Sequence, residues 1–231
     1  MGGSMISLTS ANGQAFTAYF AKPDAPRGQG IVILQEIFGI NAFVREAADR
    51  YAKLGYAVIA PDLFWRQEPG VELNSGSEDD RTRAMALMKG LDENAAIEDA
   101  LTAADYLRDT LGCTSVGTIG YCLGGKLAFL LAKEPSIGAA VAYYGVAIQS
   151  VLPDAPKLSG PLLLHIAGDD HLCPPEAQQQ IVDTLGPVGV GIIVHPGVPH
   201  GFARYNSPVF VAEAAERADS ATSAFLAKHL P

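Results

Sequence analysis

Six short runs of almost unbroken apolar residues punctuate the chain: Ile31-Val32-Ile33-Leu34, Tyr56 to Ala60, Val116 to Ile119, Ala139 to Ala142, Leu162 to Ile166 and Val190 to Val194. A strand with one wet face alternates apolar and polar residues, so runs this continuous predict strands buried on both faces, the condition of a parallel sheet. An earlier stretch, Ala15 to Ala21, does alternate, around Phe16, Ala18 and Phe20, and predicts a half-exposed strand. Amphipathic stretches lie between the runs and predict helices over Ala42 to Leu54, Arg81 to Leu111, Leu123 to Lys133, Pro175 to Leu185 and Val209 to Leu230. This repeated alternation predicts an α/β fold with a mostly parallel central sheet and helices on both faces. The polar segment Gln67 to Asp80 predicts a long surface loop, a candidate border for a pocket.

Composition narrows the function without naming it. The 231 residues, 48% of them hydrophobic, suffice for one well-buried core, and a single domain over residues 1–231 is expected. A formal net charge of -9 opposes non-specific binding to nucleic acid or to an anionic membrane, which leaves small molecules as the expected partners, with the oligomeric state open and a monomer plausible. No apolar run approaches the roughly 20 residues that cross a bilayer. Residues 1–4 lack the basic flank and apolar run of a signal peptide and read as a cloning remnant ahead of a native start at Met5. Cys113, Cys122 and Cys173 are few, odd in number and without C-x-x-C spacing. They indicate neither a disulfide framework nor a zinc site, and fit a reducing cytoplasm.

One of these cysteines has a special setting. Ile119-Gly120-Tyr121-Cys122-Leu123-Gly124-Gly125 follows an apolar strand and opens a helical stretch. That is the context of the G-x-S-x-G nucleophile elbow of α/β-hydrolases, with Cys122 in the serine position. The turn strains the nucleophile's backbone, and Gly120 and Gly124 remove side chains that would collide there. The following helix offers free N–H groups and partial positive charge to the sulfur, and the Leu123 N–H is one expected oxyanion donor. Cys113 and Cys173 have no such context and read as structural.

A nucleophile needs a base and an acid. His200 lies in a loop just past the last predicted strand, at the end of the sheet where parallel folds bind ligands. His165 and His195 fall within or at the end of apolar strands and read as satisfied core groups, while His171 and His229 have no comparable placement. The chain order Cys, acid, His matches α/β-hydrolases. The acid lies in Gly168-Asp169-Asp170-His171, where spacing alone leaves the two aspartates open. His165, Asp169, Asp170 and His171 also make a mixed set of the kind metals use, but no H-E-x-x-H helix supports it, and no metal or other cofactor is expected.

With these motifs in place, the chain resembles the dienelactone hydrolase family, the carboxymethylenebutenolidases, from about Ile31 to Phe225. The likeness rests on Leu34-Gln35-Glu36-Ile37-Phe38-Gly39, Pro61-Asp62-Leu63, Gly120 to Gly125, Tyr143-Tyr144-Gly145, Asp170-His171 and His200-Gly201-Phe202-Ala203-Arg204. It implies a Cys122, His200 and Asp170 triad that opens lactones through an acyl-enzyme, and so chooses Asp170 over Asp169. It gives Glu36 the role of a carboxylate that meets the resting thiol and moves aside for substrate, and the Ile37 N–H that of second oxyanion donor. A carboxylate directly after an apolar strand is costly unless bonded or functional, which agrees. The resemblance further implies that Arg81 and Arg204 bind a substrate carboxylate, although Arg81, in the charged run Glu78 to Arg83, also reads as a solvated surface group. Phe38, Tyr144, Met85 and Met88 are expected to line the substrate site.

The chain departs from the family's pattern at two places. Gly201 stands where the best-known members have serine, and Met85 and Met88 where they have aromatic residues. Restoring a serine at Gly201 is expected to strengthen anion binding, and the thioethers suggest a more tolerant pocket. A general carboxylesterase or lactonase without dienelactone activity is therefore the nearest rival reading. A redox or electrophile sensor using Cys122 as a reactive thiol is the rival of another class. It needs no preserved triad, and every triad member is present.

Overall fold

The computed structural model describes residues 2–230; Met1, part of the expected cloning remnant, and Pro231 lie outside them. In chain order the elements are β1 (Ser4–Thr9), β2 (Ala15–Ala21), β3 (Gln29–Leu34), α1 (Ala42–Lys53), β4 (Ala57–Pro61), α2 (Glu78–Lys89), α3 (Glu93–Asp105), β5 (Ser115–Tyr121), α4 (Leu123–Leu131), β6 (Ala139–Tyr143), β7 (Leu162–Ala167), α5 (Pro175–Leu185), β8 (Gly191–His195) and α6 (Ala212–His229). The strands are ordered β1-β2-β4-β3-β5-β6-β7-β8. The β1–β2 and β2–β4 pairs are antiparallel, whereas β3–β4, β6–β7 and β7–β8 are parallel. This is the α/β-hydrolase fold expected from the sequence, with a mostly parallel sheet. No helix among the described residues is long and apolar enough to cross a membrane.

The chain divides into two compact units between Thr118 and Ile119. In the first, Ile31, Val32, Ile33 and Leu34 of β3 are fully buried, as are Val58, Ile59 and Ala60 of β4. Each large aliphatic side chain sealed this way contributes on the order of 1.5–3 kcal/mol. The helix starts are written locally. Asn41 caps α1 by accepting from the Val44 N–H at 3.2 Å. Ser77 caps α2 by accepting from the Asp80 N–H, and Glu78, Asp79 and Asp80 fill that helix's first turn, where negative charge is favourable.

Several features differ from the sequence expectation. The strand β8, expected to be buried on both faces, is an edge strand with Gly191 to Ile193 half-buried and Val194 exposed, and α2 begins at Glu78, inside the segment expected as a loop. The stretch Arg81 to Leu111 is two helices, because Gly90 ends α2 and the Asp92 carboxylate starts α3 by accepting from the Asn94 and Ala95 N–H groups. Both flanks are amphipathic, so periodicity alone runs across the break. The strand β1 was not expected at all; Ser4 pairs with Phe20 and Thr9 with Ala15, and most of its side chains are exposed. The polar segment Gln67 to Asp80 is partly strapped down. The Leu73 N–H donates to the Phe38 carbonyl at 2.9 Å, and Gly39 and Glu72 form an isolated bridge.

In the second unit, β6, β7 and β8 lie side by side, with Tyr143 opposite His165 and Ala167 opposite His195. Three elements deliver the candidate chemistry to loops after their carboxyl ends. Cys122 follows β5, Asp170 follows β7, and His200 follows β8.

Candidate active site

Cys122 caps α4 with φ 56° and ψ −113°, a left-handed conformation that a non-glycine residue adopts only at a cost of about 1–3 kcal/mol. Its surroundings over-determine that geometry. The Cys122 N–H donates to the Tyr143 carbonyl at 3.0 Å, and the Cys122 carbonyl accepts from Gly125, Lys126 and Val146. Position 120 must be glycine, since a Cβ there would lie 1.8 Å from the Gly124 carbonyl oxygen. The turn thus presents the sulfur at a helix N-terminus, where first-turn amides such as Leu123 N–H have no partner within the helix.

His200 and Asp170 form the second half of the site. The His200 Nδ1 bonds the Asp170 Oδ2 at 2.7 Å, and the other carboxylate oxygen accepts from the Leu172 N–H at 2.8 Å. Asp170 is buried, while Asp169 is exposed, which places only one of the two candidate carboxylates on the imidazole. Burial by itself would lower the His200 pKa. The Asp170 hydrogen bond, then the hydrogen-bonding and charge interactions with Cys122, outweigh it and raise the pKa to about 10. The His200 Nε2 is buried, and Cys122 is the group beside Asp170 whose interactions raise the ring's pKa. The ring is braced edge-on by Tyr144, at 5.0 Å between centroids, and Tyr144 itself has φ 38°.

Arg204 belongs to the same loop. A Cβ on Gly201 would lie 2.9 Å from the Arg204 Nη2, and Gly201 has φ 79°. The glycine next to His200 suits its positive φ, and its missing side chain leaves room for the guanidinium end of Arg204. A serine at this position would have to adopt the positive φ and would press on the far end of the Arg204 side chain, which is flexible enough to shift.

The remaining candidates lie in the first unit. Glu36 is 1% exposed and directly follows Gln35, whose side-chain carbonyl accepts from the Leu63 N–H. Ile37 and Phe38 are buried in the turn after β3. Arg81 is exposed on α2 and donates through Nη2 to the Ser75 carbonyl at 2.9 Å. Met85 is 52% exposed and Met88 half-buried, while the buried face of α2 carries Ala84 and Leu87.

The mixed His and Asp set does not converge. The His165 ring bonds His195 and Thr222, Asp169 faces solvent, and no group of three metal-ligating side chains occurs among the described residues. Cys173 is buried, and burial, followed by the nearby Asp170 charge, pushes its thiol up to about 11. Burial likewise pushes the Cys113 thiol up. A raised pKa disfavours the thiolate in both, the opposite of what a nucleophile needs. Phe202, quoted in the sequence only as part of the His200 loop motif and given no role there, is fully buried between Tyr144 and His195 at ring separations of 5.5 and 4.8 Å. Its apolar character two residues after His200 was the available signal.

The dienelactone hydrolase family model matches residues 16–230. The carboxymethylenebutenolidases of Pseudomonas putida and Pseudomonas knackmussii are each 39% identical over 225 residues, covering 96% of this chain and 95% of theirs. Among solved structures, a dienelactone hydrolase-like promiscuous phosphotriesterase from metagenomic libraries superposes with a TM-score of 0.76 over 100% of both chains. At 20% identity that likeness bears on the fold alone. The family match spans the elbow, the Asp170 loop and the His200 loop together, and on that basis the chain belongs to the dienelactone hydrolase family and is a hydrolase of ester or lactone bonds.

Proposed function

We propose that this enzyme opens an anionic lactone of the dienelactone type by acyl transfer to Cys122. The observation that carries the reading is the Asp170–His200 bond at 2.7 Å, with the imidazole's free nitrogen toward a cysteine held at φ 56° on a helix N-terminus. The sulfur attacks the lactone carbonyl carbon, and the Leu123 N–H, joined on the family resemblance by the Ile37 N–H, receives the developing oxyanion. As the tetrahedral intermediate collapses, the ring C–O bond breaks and His200 protonates the departing oxygen, leaving a thioester. Water then attacks that thioester while His200 takes its proton, and the thiolate leaves.

The raised His200 pKa suits the first half-reaction, in which the ring must arrive protonated. Acylation converts the sulfur to a thioester and so removes its contribution to the elevation, and the imidazole becomes a better base when the second half-reaction requires one. Glu36, buried after β3, is assigned on the resemblance to restrain the resting thiol. Arg204 and Arg81 are assigned to the substrate carboxylate, and Phe38, Tyr144, Met85 and Met88 to its body. No cofactor takes part in this scheme, and the three free cysteines suit work in a reducing cytoplasm.

Arg81 favours attention to a second reading. Its guanidinium is exposed and already engages the Ser75 carbonyl, which weakens the case for a two-arginine anion site and keeps a neutral-ester hydrolase in play. The deciding experiment is hydrolysis of dienelactone and p-nitrophenyl esters by the wild type and Cys122→Ala. We expect the variant to lose several orders of magnitude on both substrates with its circular dichroism unchanged. Retention of most activity would sink the proposal.

A further inference from the structure

Behind the triad, the second unit buries a row of polar side chains that hydrolysis does not use. His195 Nε2 and His165 Nδ1 are 3.1 Å apart, and His165 Nε2 and the Thr222 hydroxyl 2.9 Å. That hydroxyl is 2.7 Å from the Tyr143 hydroxyl, which donates to Asp219 at 2.9 Å, and Tyr205 donates to the same carboxylate. His165, Thr222 and Tyr143 are essentially sealed from solvent.

The carboxylate sets the direction of the whole row. Asp219 only accepts, so the single Tyr143 proton points to it, and toward Thr222 the tyrosine oxygen is an acceptor. The single Thr222 proton therefore points to Tyr143, and Thr222 accepts from His165 Nε2–H. A neutral imidazole has one N–H, which leaves His165 Nδ1 to accept from His195 Nε2–H. Neutrality is secured by burial and by the neighbouring His195, which hold the His165 pKa down at about 3. Each donor in the row is thus fixed by the next, from His195 through to Asp219.

The backbones of the three ring residues connect this row to the site. The Tyr143 carbonyl accepts from the Cys122 N–H at 3.0 Å, the His165 carbonyl from the Tyr144 N–H at 2.8 Å, and the His195 carbonyl from the Gly168 N–H at 2.8 Å. Those N–H groups belong to the nucleophile, to the residue bracing His200, and to the turn leading to Asp170. Thr222 and Asp219 lie on α6, so the row anchors the ends of β6, β7 and β8 to one helix face.

We propose that His195, His165, Thr222, Tyr143 and Asp219 form a one-directional hydrogen-bonded spine that positions the Cys122, Asp170 and His200 segments, with Thr222 as its central link. The spine rests on the triad reading, but its hydrogen-bond direction does not. Two measurements test it. In ¹⁵N spectra of the wild-type enzyme, His165 should show the neutral Nε2–H tautomer; an Nδ1–H tautomer or a charged ring would overturn the direction. In kinetics with a p-nitrophenyl ester, Thr222→Val, which keeps the shape and removes both hydrogen bonds, should lower kcat by about ten- to a hundredfold with KM little changed, the scale expected when reacting groups shift by a fraction of an ångström. Thr222→Ser should restore kcat.

Should Thr222→Val not fold, Asp219→Asn at the half-buried end supplies the same test, with a several-fold loss of kcat because an amide can donate and so scramble the direction. Wild-type kcat in whichever variant folds would remove the positioning role and leave the triad untouched. The triad fails separately, if Cys122→Ala retains activity.

Discussion

The second unit holds two buried imidazole regions built on neighbouring strands, and they handle charge in opposite ways. His200 stands against the Asp170 carboxylate and the Cys122 sulfur, which overcome the penalty of burial and raise its pKa to about 10. His165 stands against another imidazole and a hydroxyl, so nothing offsets burial, and its pKa falls to about 3. The residue type is the same and both rings lack solvent. What differs is the set of partners: a carboxylate and a thiol group favour the charged form of one ring, whereas a second imidazole and burial favour the neutral form of the other.

The largest effect expected from breaking this contrast lies at Asp170. Asp170→Asn should cost roughly 10³ to 10⁴ in turnover, because the amide no longer favours the imidazolium and disturbs the tautomer. Asp169→Asn, at an exposed carboxylate, should change turnover by less than about twofold. Steady-state rates on one ester compare the pair, and the reverse ranking would mean that the wrong carboxylate has been assigned to the ring.

A smaller effect is expected at Gly201 and Arg204. Arg204→Ala should raise KM for an anionic lactone by about 1.5–3 kcal/mol, the value of a charged hydrogen bond, and leave neutral esters nearly unaffected. Gly201→Ser should weaken anionic substrates as well, since the added Cβ meets the guanidinium and the backbone has φ 79°. Improvement of the anionic substrate by that serine would show that the arginine does not need the space the glycine leaves.

The subtlest test reads the two histidines directly as pH varies. A folded-state pKa raised above the ordinary value stabilises the fold below about 6.5 and loses that contribution as pH rises through about 10, which is the case of His200. A lowered one stabilises the fold above about 6.5 and loses its contribution as pH falls toward about 3, which is the case of His165. Imidazole NMR signals should show His200 still charged at pH 8 and His165 still neutral at pH 5. Titration of both rings near pH 6.5 would erase the contrast.

The sequence discloses the first of these regions far better than the second. Cys122 sits in a motif whose glycine is fixed by a local collision, and the acid and base loops follow apolar runs long enough to mark β7 and β8. The spine has no local signature. It joins Tyr143 to Thr222 across 79 residues and His165 to Thr222 across 57, so each member alone reads as an ordinary core residue. The same distinction runs through the fold. Strands buried on both faces announce themselves, whereas β1, mostly exposed and stabilised by pairing with β2, does not. The break at Gly90 and Asp92 is hidden because helices on either side share one periodicity.

The central claim is that the substrate's acyl group is carried on the Cys122 sulfur. Rapid acid quench of the enzyme during turnover of an activated ester, followed by intact-mass and peptide mass analysis, tests this most directly. We expect a single acyl adduct that maps to the peptide containing Cys122 and disappears in Cys122→Ala. An adduct on another residue, or undiminished hydrolysis by Cys122→Ala, would contradict the account.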